Sequence, residues 1–167
     1  MDQALSSSDI NNFFDDKIKI LTYDQLKKYK SVDELLKPYG RVVILYFWED
    51  EPKRGHWITC FGTKHNTIEF FDSLATKSGK PDMFLKDIPN QFKQSNGEDN
   101  PYLSKLLYEC PEQIEYNDMK IQGDTSSTCG RHVILRLCCS DIPIETYQKL
   151  FTKNTKKNDE LSVRLIN

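Results

Sequence analysis

Five positions carry side chains suited to nucleophilic catalysis: His56, Asp72, Gln122, Cys129 and Gly130. Cys129 follows a run of Asp, Thr and Ser residues and opens an apolar segment of helical character. The free backbone N–H groups and the dipole at a helix start favour a thiolate there. Gly130 lets the backbone pass close to a bound substrate with no side chain in the way. Gln122, seven residues before Cys129, can bring an amide donor to a developing oxyanion. Each residue also has an ordinary reading. Most free cysteines are small buried residues, and a lone glutamine is usually a solvated one.

His56 and Asp72 are sixteen residues apart, within two segments that read as a β-hairpin: Gly55–Gly62 and Thr67–Ser73. Side chains alternate along a strand, so His56, Ile58 and Cys60 share one face, and Ile68, Phe70 and Asp72 share another. A three-residue loop, Thr63–His65, with Gly62 opposite Asn66, would put His56 directly opposite Asp72. Opposed Cβ atoms lie ~4.5–5.5 Å apart, close enough for a carboxylate to fix the imidazole tautomer and stabilise its protonated form. A slip of one residue would separate the two groups onto opposite faces. The pair taken alone also suits an ordinary hairpin end.

Two rival arrangements use the same helix. His132, three residues after Cys129, shares its side of the helix. It has no carboxylate in local reach, whereas His56 has Asp72. His65 falls at the expected hairpin tip, where it is solvated. A zinc site from Cys129, His132, Cys138 and Cys139 would put all four ligands on one helix, with no second pair elsewhere. That matches no usual structural zinc spacing. The other cysteines, Cys60, Cys110, Cys138 and Cys139, sit in apolar segments and read as core thiols.

Several elements must position these residues. Residues 8–39 read as helical: Ser8 or Asp9 can cap a turn bearing Phe13, Phe14 and Ile18, and Leu26, Tyr29, Val32 and Leu35–Leu36 recur at helical spacing. Pro38 and Gly40 stop the pattern. Arg41–Trp48 is a β-branched and aromatic run without polar alternation, which suits a strand buried on both faces. Glu49–Gly55 is a charged loop. Residues 80–94 read as one or two surface helices, and Gln94–Asn100 as the most turn-rich stretch. Pro101–Cys110 reads as a short helix, Ile114–Gln122 as a region that holds a strand, Arg131–Cys139 and Ile142–Phe151 as helices, and the Lys-rich end as a frayed tail. The fold class is α+β, a mainly antiparallel central sheet with helices before and after.

Length and charge restrict the function. At 167 residues the chain fits one domain, which at this size buries ~70% of its unfolded surface without needing a metal or disulfide. Charged residues make up 29% and hydrophobic ones 38%, a globular balance. The net charge of −2 argues against a general nucleic-acid binder. No apolar run approaches the ~20 residues of a membrane span, and the acidic start shows no signal peptide. Five cysteines in no framework spacing read as free thiols in a reducing compartment.

The order GHWITCFG, then IEFFDS, then QGDTSSTCGRHV resembles the adenain/Ulp1 superfamily of cysteine proteases. That group holds the adenovirus-type maturation proteases and the proteases of SUMO and ubiquitin-like modifiers. The resemblance runs from about Val42 to Leu137. The seven-residue Gln-to-Cys interval is similar to the adenovirus branch, and Asp72 in the carboxylate position to the SUMO-protease branch. The Phe-Asp-Ser and Ser-Thr-Cys-Gly-Arg stretches look most like proteases of virophages, polinton-like elements and large DNA viruses.

The resemblance implies a papain-like core, with the nucleophile at the N-terminus of a central helix. It divides the single domain, 1–167, into a helical N-terminal segment (1–40), a catalytic core (41–140) and a C-terminal helix and tail (141–167). It implies Cys129 as nucleophile, His56 as base and then acid, Asp72 as the orienting carboxylate, and Gln122 with the Cys129 backbone N–H as oxyanion donors. Trp57 matches the tryptophan that covers a narrow cleft for glycine in the SUMO proteases, and Gly130 joins it as a substrate-binding position. The implied activity is endopeptidase processing of viral capsid or other structural precursors, near glycine, in the host cytoplasm, viral factory or virion. The alternative is an isopeptidase that removes SUMO or another ubiquitin-like modifier. Compactness favours maturation, because a modifier protease needs a broad docking surface. No cofactor is implied. Adenovirus proteases are basic and activated by DNA and a peptide, whereas only Lys153–Lys157 is locally basic here, which argues against a DNA cofactor.

Overall fold

Two successive aspartates end the first helix. Asp15 and Asp16 take positive φ values of 51° and 61°, a conformation Asp tolerates better than most residues. Helix α1 (Ser7–Phe13) stops before them, and the chain restarts as strand β1 (Lys19–Thr22). The helix also starts earlier than expected: Ser6 is the N-cap and forms a reciprocal capping box with Asp9. A 3₁₀ segment (Tyr23–Lys28) and helix α2 (Val32–Leu36), capped by Ser31, follow. The helical stretch expected over 8–39 is therefore two helices, a 3₁₀ segment and a strand. Ile18, Ile20 and Thr22 are β-branched at alternate positions, and pairing with the next strand prevails over helical spacing.

The computed structural model describes residues 4–49, 54–75 and 101–167. The helix expected over 80–94, the turn-rich stretch 94–100 and positions 50–53 of the charged loop lie outside the described residues. The sheet has five strands in the order β1–β2–β3–β4–β5, the others being β2 (Arg41–Glu49), β3 (Arg54–Gly62), β4 (Ile68–Phe71) and β5 (Ile114–Tyr116). The two central pairings are antiparallel and the two outer ones parallel. Helices α3 (Tyr102–Tyr108), α4 (Cys129–Cys138), α5 (Ile144–Gln148) and α6 (Thr155–Leu165) complete the fold. Among the described residues no helix is long and apolar enough to cross a membrane.

Both faces of the central strands are covered. Ile44 and Tyr46 of β2, Ile58 and Cys60 of β3 and Phe70 of β4 pack with Tyr23, Leu26, Leu35 and Leu103. Their neighbours Val43, Trp57 and Phe61 pack on the other face with Ile10, Val133, Ile134 and Leu137. Each fully buried side chain of this size contributes ~1.5–3 kcal/mol. Together the two layers anchor β3 and α4, the elements that carry His56 and Cys129.

The β3–β4 register differs by two residues from the expected one. Gly62 pairs with Ile68 and Thr59 with Phe71, so the loop is Thr63–Thr67. The Thr63 N–H donates to the Thr67 carbonyl at 2.9 Å, the two hydroxyls lie 2.6 Å apart, and Asn66 takes a φ of 62°. These polar groups close a five-residue loop where three residues were expected. A shift of two preserves parity, and Ile58, Cys60, Ile68 and Phe70 share a cluster as anticipated.

Two other expectations are corrected. The Lys-rich end is ordered as α6, with Asn158, Asp159 and Ser162 buried. Only Cys60 is a core thiol among the four read that way. Cys138 is exposed, and Cys110 and Cys139 are half-buried. The strand expected within 114–122 is β5, which ends at Tyr116 and leaves Gln122 in the loop that follows.

Candidate active site

β3 carries His56 into the interior, fully buried beside an equally enclosed Asp72. Its Nε2 lies 2.5 Å from Asp72 Oδ1. The same oxygen accepts the Leu74 N–H at 2.9 Å. Asp72 lies one residue past the end of β4, where Asn117 extends the ladder with a side chain. The Asp72 N–H donates to Asn117 Oδ1 at 3.0 Å, and Asn117 Nδ2 donates to the Asp72 carbonyl at 2.6 Å. The amide thus takes the place of one more β5 backbone pairing and holds both the N–H and the carbonyl of Asp72. No sequence signal marked Asn117.

Cys129 is the first residue of α4 and is 6% exposed. The Trp57 N–H points at its Sγ, 3.5 Å away. As the first helical residue, Cys129 has a backbone N–H without an intrahelical acceptor. Burial pushes the His56 imidazole's pKa down, but the Asp72 charge, its hydrogen bond and the Cys129 sulfur override burial and raise it to about 10. With Nε2 on Asp72, Nδ1 is the ring nitrogen left to act on a second group. This arrangement can keep an imidazolium beside a sulfur nucleophile at neutral pH.

Gln122 is buried and lines the same cleft as Cys129. Its Oε1 accepts from the Ser73 hydroxyl at 2.6 Å, and its Nε2 donates to the Ser126 carbonyl at 3.0 Å. A cleft of about 750 Å³ opens on Trp57, Gln122, Ser126 and Cys129, and extends along Ile20, Leu45 and Phe47. The N-terminal segment Ala4–Ser7 forms another part of its wall. The Trp57 indole donates to the Leu5 carbonyl at 3.0 Å. A Cβ on Gly130 would meet Leu5 Cβ at 3.1 Å and Trp57 Cδ1 at 3.2 Å. A side chain at Gly130 would therefore press on Leu5 and Trp57, which would have to give by a few tenths of an ångström.

His132 is positioned by a carboxylate after all. Its Nε2 lies 3.0 Å from Asp159 Oδ1, contributed by α6. The same oxygen accepts the Thr128 hydroxyl at 2.7 Å, and Oδ2 accepts the Gly123 N–H at 3.1 Å. Burial raises the Asp159 carboxyl's pKa, yet the bonds from His132, Thr128 and Gly123 bring it below the ordinary value. His132 is thus engaged with α6 and packs edge-on against Phe151. Glu69, the buried carboxylate of β4, forks onto Arg136 at 2.7 and 2.8 Å. Among the described residues no group of three or more His, Cys, Asp or Glu is arranged to hold a metal ion.

No protein-family model matches the chain. It is 38% identical over 148 residues to V9, an uncharacterized protein of Sputnik virophage, with 87% of this chain and 82% of V9 aligned. The chain belongs to the V9 family. Among solved structures, ASFV pS273R protease superposes with a TM-score of 0.52 at 11% identity, covering 100% of this chain and 68% of that one. ChlaDub1 of Chlamydia trachomatis matches at a TM-score of 0.44 and 14% identity, covering 78% and 60%. This V9-family chain thus shares the α+β fold of the ASFV pS273R protease.

Proposed function

We propose that this V9-family chain is a cysteine endopeptidase that cuts capsid or other structural precursor polypeptides during virion maturation. One observation carries the chemistry: a buried Asp72–His56 pair at 2.5 Å whose imidazole also interacts with the Cys129 sulfur at a helix start. The virophage relative and the fold match to a viral protease support the viral setting.

In the reaction, His56 Nδ1 holds the proton of the Cys129 thiol, and the thiolate attacks the scissile carbonyl carbon. The carbonyl oxygen becomes an oxyanion, met by Gln122 Nε2 and the Cys129 backbone N–H. His56 gives its proton to the leaving amine as the C–N bond breaks, leaving a thioester on Cys129. Water then gives a proton to His56 and adds to the thioester. Collapse of that adduct releases the carboxylic acid and returns the proton to sulfur. Asp72 keeps the ring oriented and its charge balanced throughout. Trp57 forms the cleft wall beside Cys129 and suits a small residue, such as glycine, at the scissile bond.

The test incubates the purified protein with its own virus's capsid precursor, and in parallel with SUMO and ubiquitin conjugates. Cleavage of the precursor at discrete sites by the wild type and not by Cys129→Ala is expected. Cleavage of the conjugates alone would replace the substrate reading with a modifier isopeptidase. No cleavage of either would overturn the enzymatic reading.

A further inference from the structure

An amide side chain has two ends of opposite polarity. If Gln122 serves as an oxyanion donor, only Nε2 can face the scissile carbonyl; Oε1 turned that way would repel the developing charge. Something must therefore select one of two orientations that differ by half a turn about the terminal side-chain bond. Water cannot do so where Gln122 sits, because it is 3% exposed.

We propose that Ser73 is a positioning residue for this reaction: its hydroxyl holds Gln122 Oε1 and thereby turns Nε2 toward the site of the oxyanion. This rests on the proposed role of Gln122. Ser73 is fully buried and its Oγ donates to Oε1 at 2.6 Å. The opposite end meets the Ser126 carbonyl at 3.0 Å, a group that can only accept. That contact takes one of the two Nε2 hydrogens and leaves the second for the substrate. Inverting the amide would set Oε1 against the Ser126 carbonyl oxygen, a repulsive contact in a dry interior.

The backbone of Ser73 also acts on Gln122. Its carbonyl accepts both the Ile121 and the Gln122 N–H, at 2.9 and 3.0 Å. The loop is clamped a second time by α6: Asn158 Nδ2 donates to the Ile121 carbonyl at 3.1 Å, and Asp159 accepts from the Gly123 N–H. With the main chain held on both sides of Gln122, removing the Ser73 hydroxyl leaves Oε1 without its donor and the amide held at the Ser126 end alone, while its Cα stays in place. Ser73 directly follows Asp72. One dipeptide therefore orients both the imidazole and the oxyanion donor.

The experiment is a double-mutant cycle of Ser73→Ala and Gln122→Ala, measured on cleavage of the capsid precursor, with Ser73→Cys as the volume-conserving variant. Ser73→Ala should lower kcat about tenfold with KM within twofold, against a loss of roughly 100-fold for Gln122→Ala. The double mutant should be no slower than Gln122→Ala. The pH limbs of kcat/KM and the rate of Cys129 alkylation by iodoacetamide should be unchanged in Ser73→Ala, because the sulfur and imidazole are untouched. If Ser73→Ala does not fold, Ser73→Cys must show the same pattern. Wild-type kcat in the Ser73 variant, or full additivity of the two losses, overturns the positioning role alone. Unimpaired Gln122→Ala, or a wild type that cuts nothing, overturns the underlying reading and this inference with it.

Discussion

His56 Nε2 and Asp72 Oδ1 stand 2.5 Å apart in a site where neither residue is more than 2% exposed. The contact is diagonal across the hairpin rather than directly cross-strand, since His56 lies beyond the last paired position of β3 and β4. A carboxylate and an imidazole in that setting have little water to satisfy them, so each depends on the other. His56→Ala and Asp72→Asn should lower kcat/KM by roughly three orders of magnitude or more, because nucleophile, base and orienting group act as a unit. Asn117→Ala should cost roughly tenfold, by freeing the Asp72 backbone. Steady-state cleavage assays on folded variants decide; full activity in Asn117→Ala would show that β4 holds Asp72 unaided.

Cys129→Ala should abolish cleavage while leaving the circular-dichroism spectrum and melting temperature close to wild type. Iodoacetamide should inactivate the enzyme by labelling Cys129 ahead of Cys60, whose thiol pKa burial pushes up to about 12. Peptide mapping of the labelled protein checks this. Inactivation that tracks Cys138, the exposed thiol, would move the nucleophile elsewhere.

The second buried pair, His132 with Asp159, predicts a different signature. Asp159→Ala leaves the Thr128 hydroxyl, the Gly123 N–H and His132 without their acceptor, at ~1–3 kcal/mol for each buried group left unsatisfied. It should depress the denaturation midpoint strongly. His132→Ala should be destabilised yet keep most of its kcat when folded. A loss of kcat as large as that of His56→Ala would transfer the base to α4.

Stability should fall on the alkaline side. The His56 pKa is about 10 in the folded chain and ~6.5 in the unfolded one. Between those values the folded state binds one more proton, so unfolding free energy decreases as pH rises. The contribution is complete below pH ~6.5, declines by at most about 1.4 kcal/mol per pH unit, and is gone above about 10. Urea midpoints measured from pH 6 to 10 should show this slope in the wild type and lose it in His56→Gln.

Parts of this structure were legible in the residues and parts were not, for identifiable reasons. The apolar run of β2 announced a strand covered on both faces. The parity of His56 and Asp72 survived a two-residue error in loop length, because period-two alternation is blind to an even slip. β1 was obscured because Ile18 also fits a helical spacing with Phe14, and only pairing with β2 selects the extended form. α6 read as a frayed tail since its buried residues include Asn158, Asp159 and Ser162, polar groups that leave little hydrophobic periodicity. The same silence hid the carboxylate of His132. Leu5 gave no sign that it would lie over Gly130, 125 positions later in the chain.

The clamp that α6 places on Ile121 and Gly123 has a consequence for timing. Translation runs from the N-terminus, so His56, Asp72, Gln122 and Cys129 are all synthesised before Asn158 and Asp159. A nascent chain that has already made His56, Asp72 and Cys129 therefore still lacks the contacts that hold Ile121 and Gly123. The loop that carries Gln122 gains this tether only once α6 has been made.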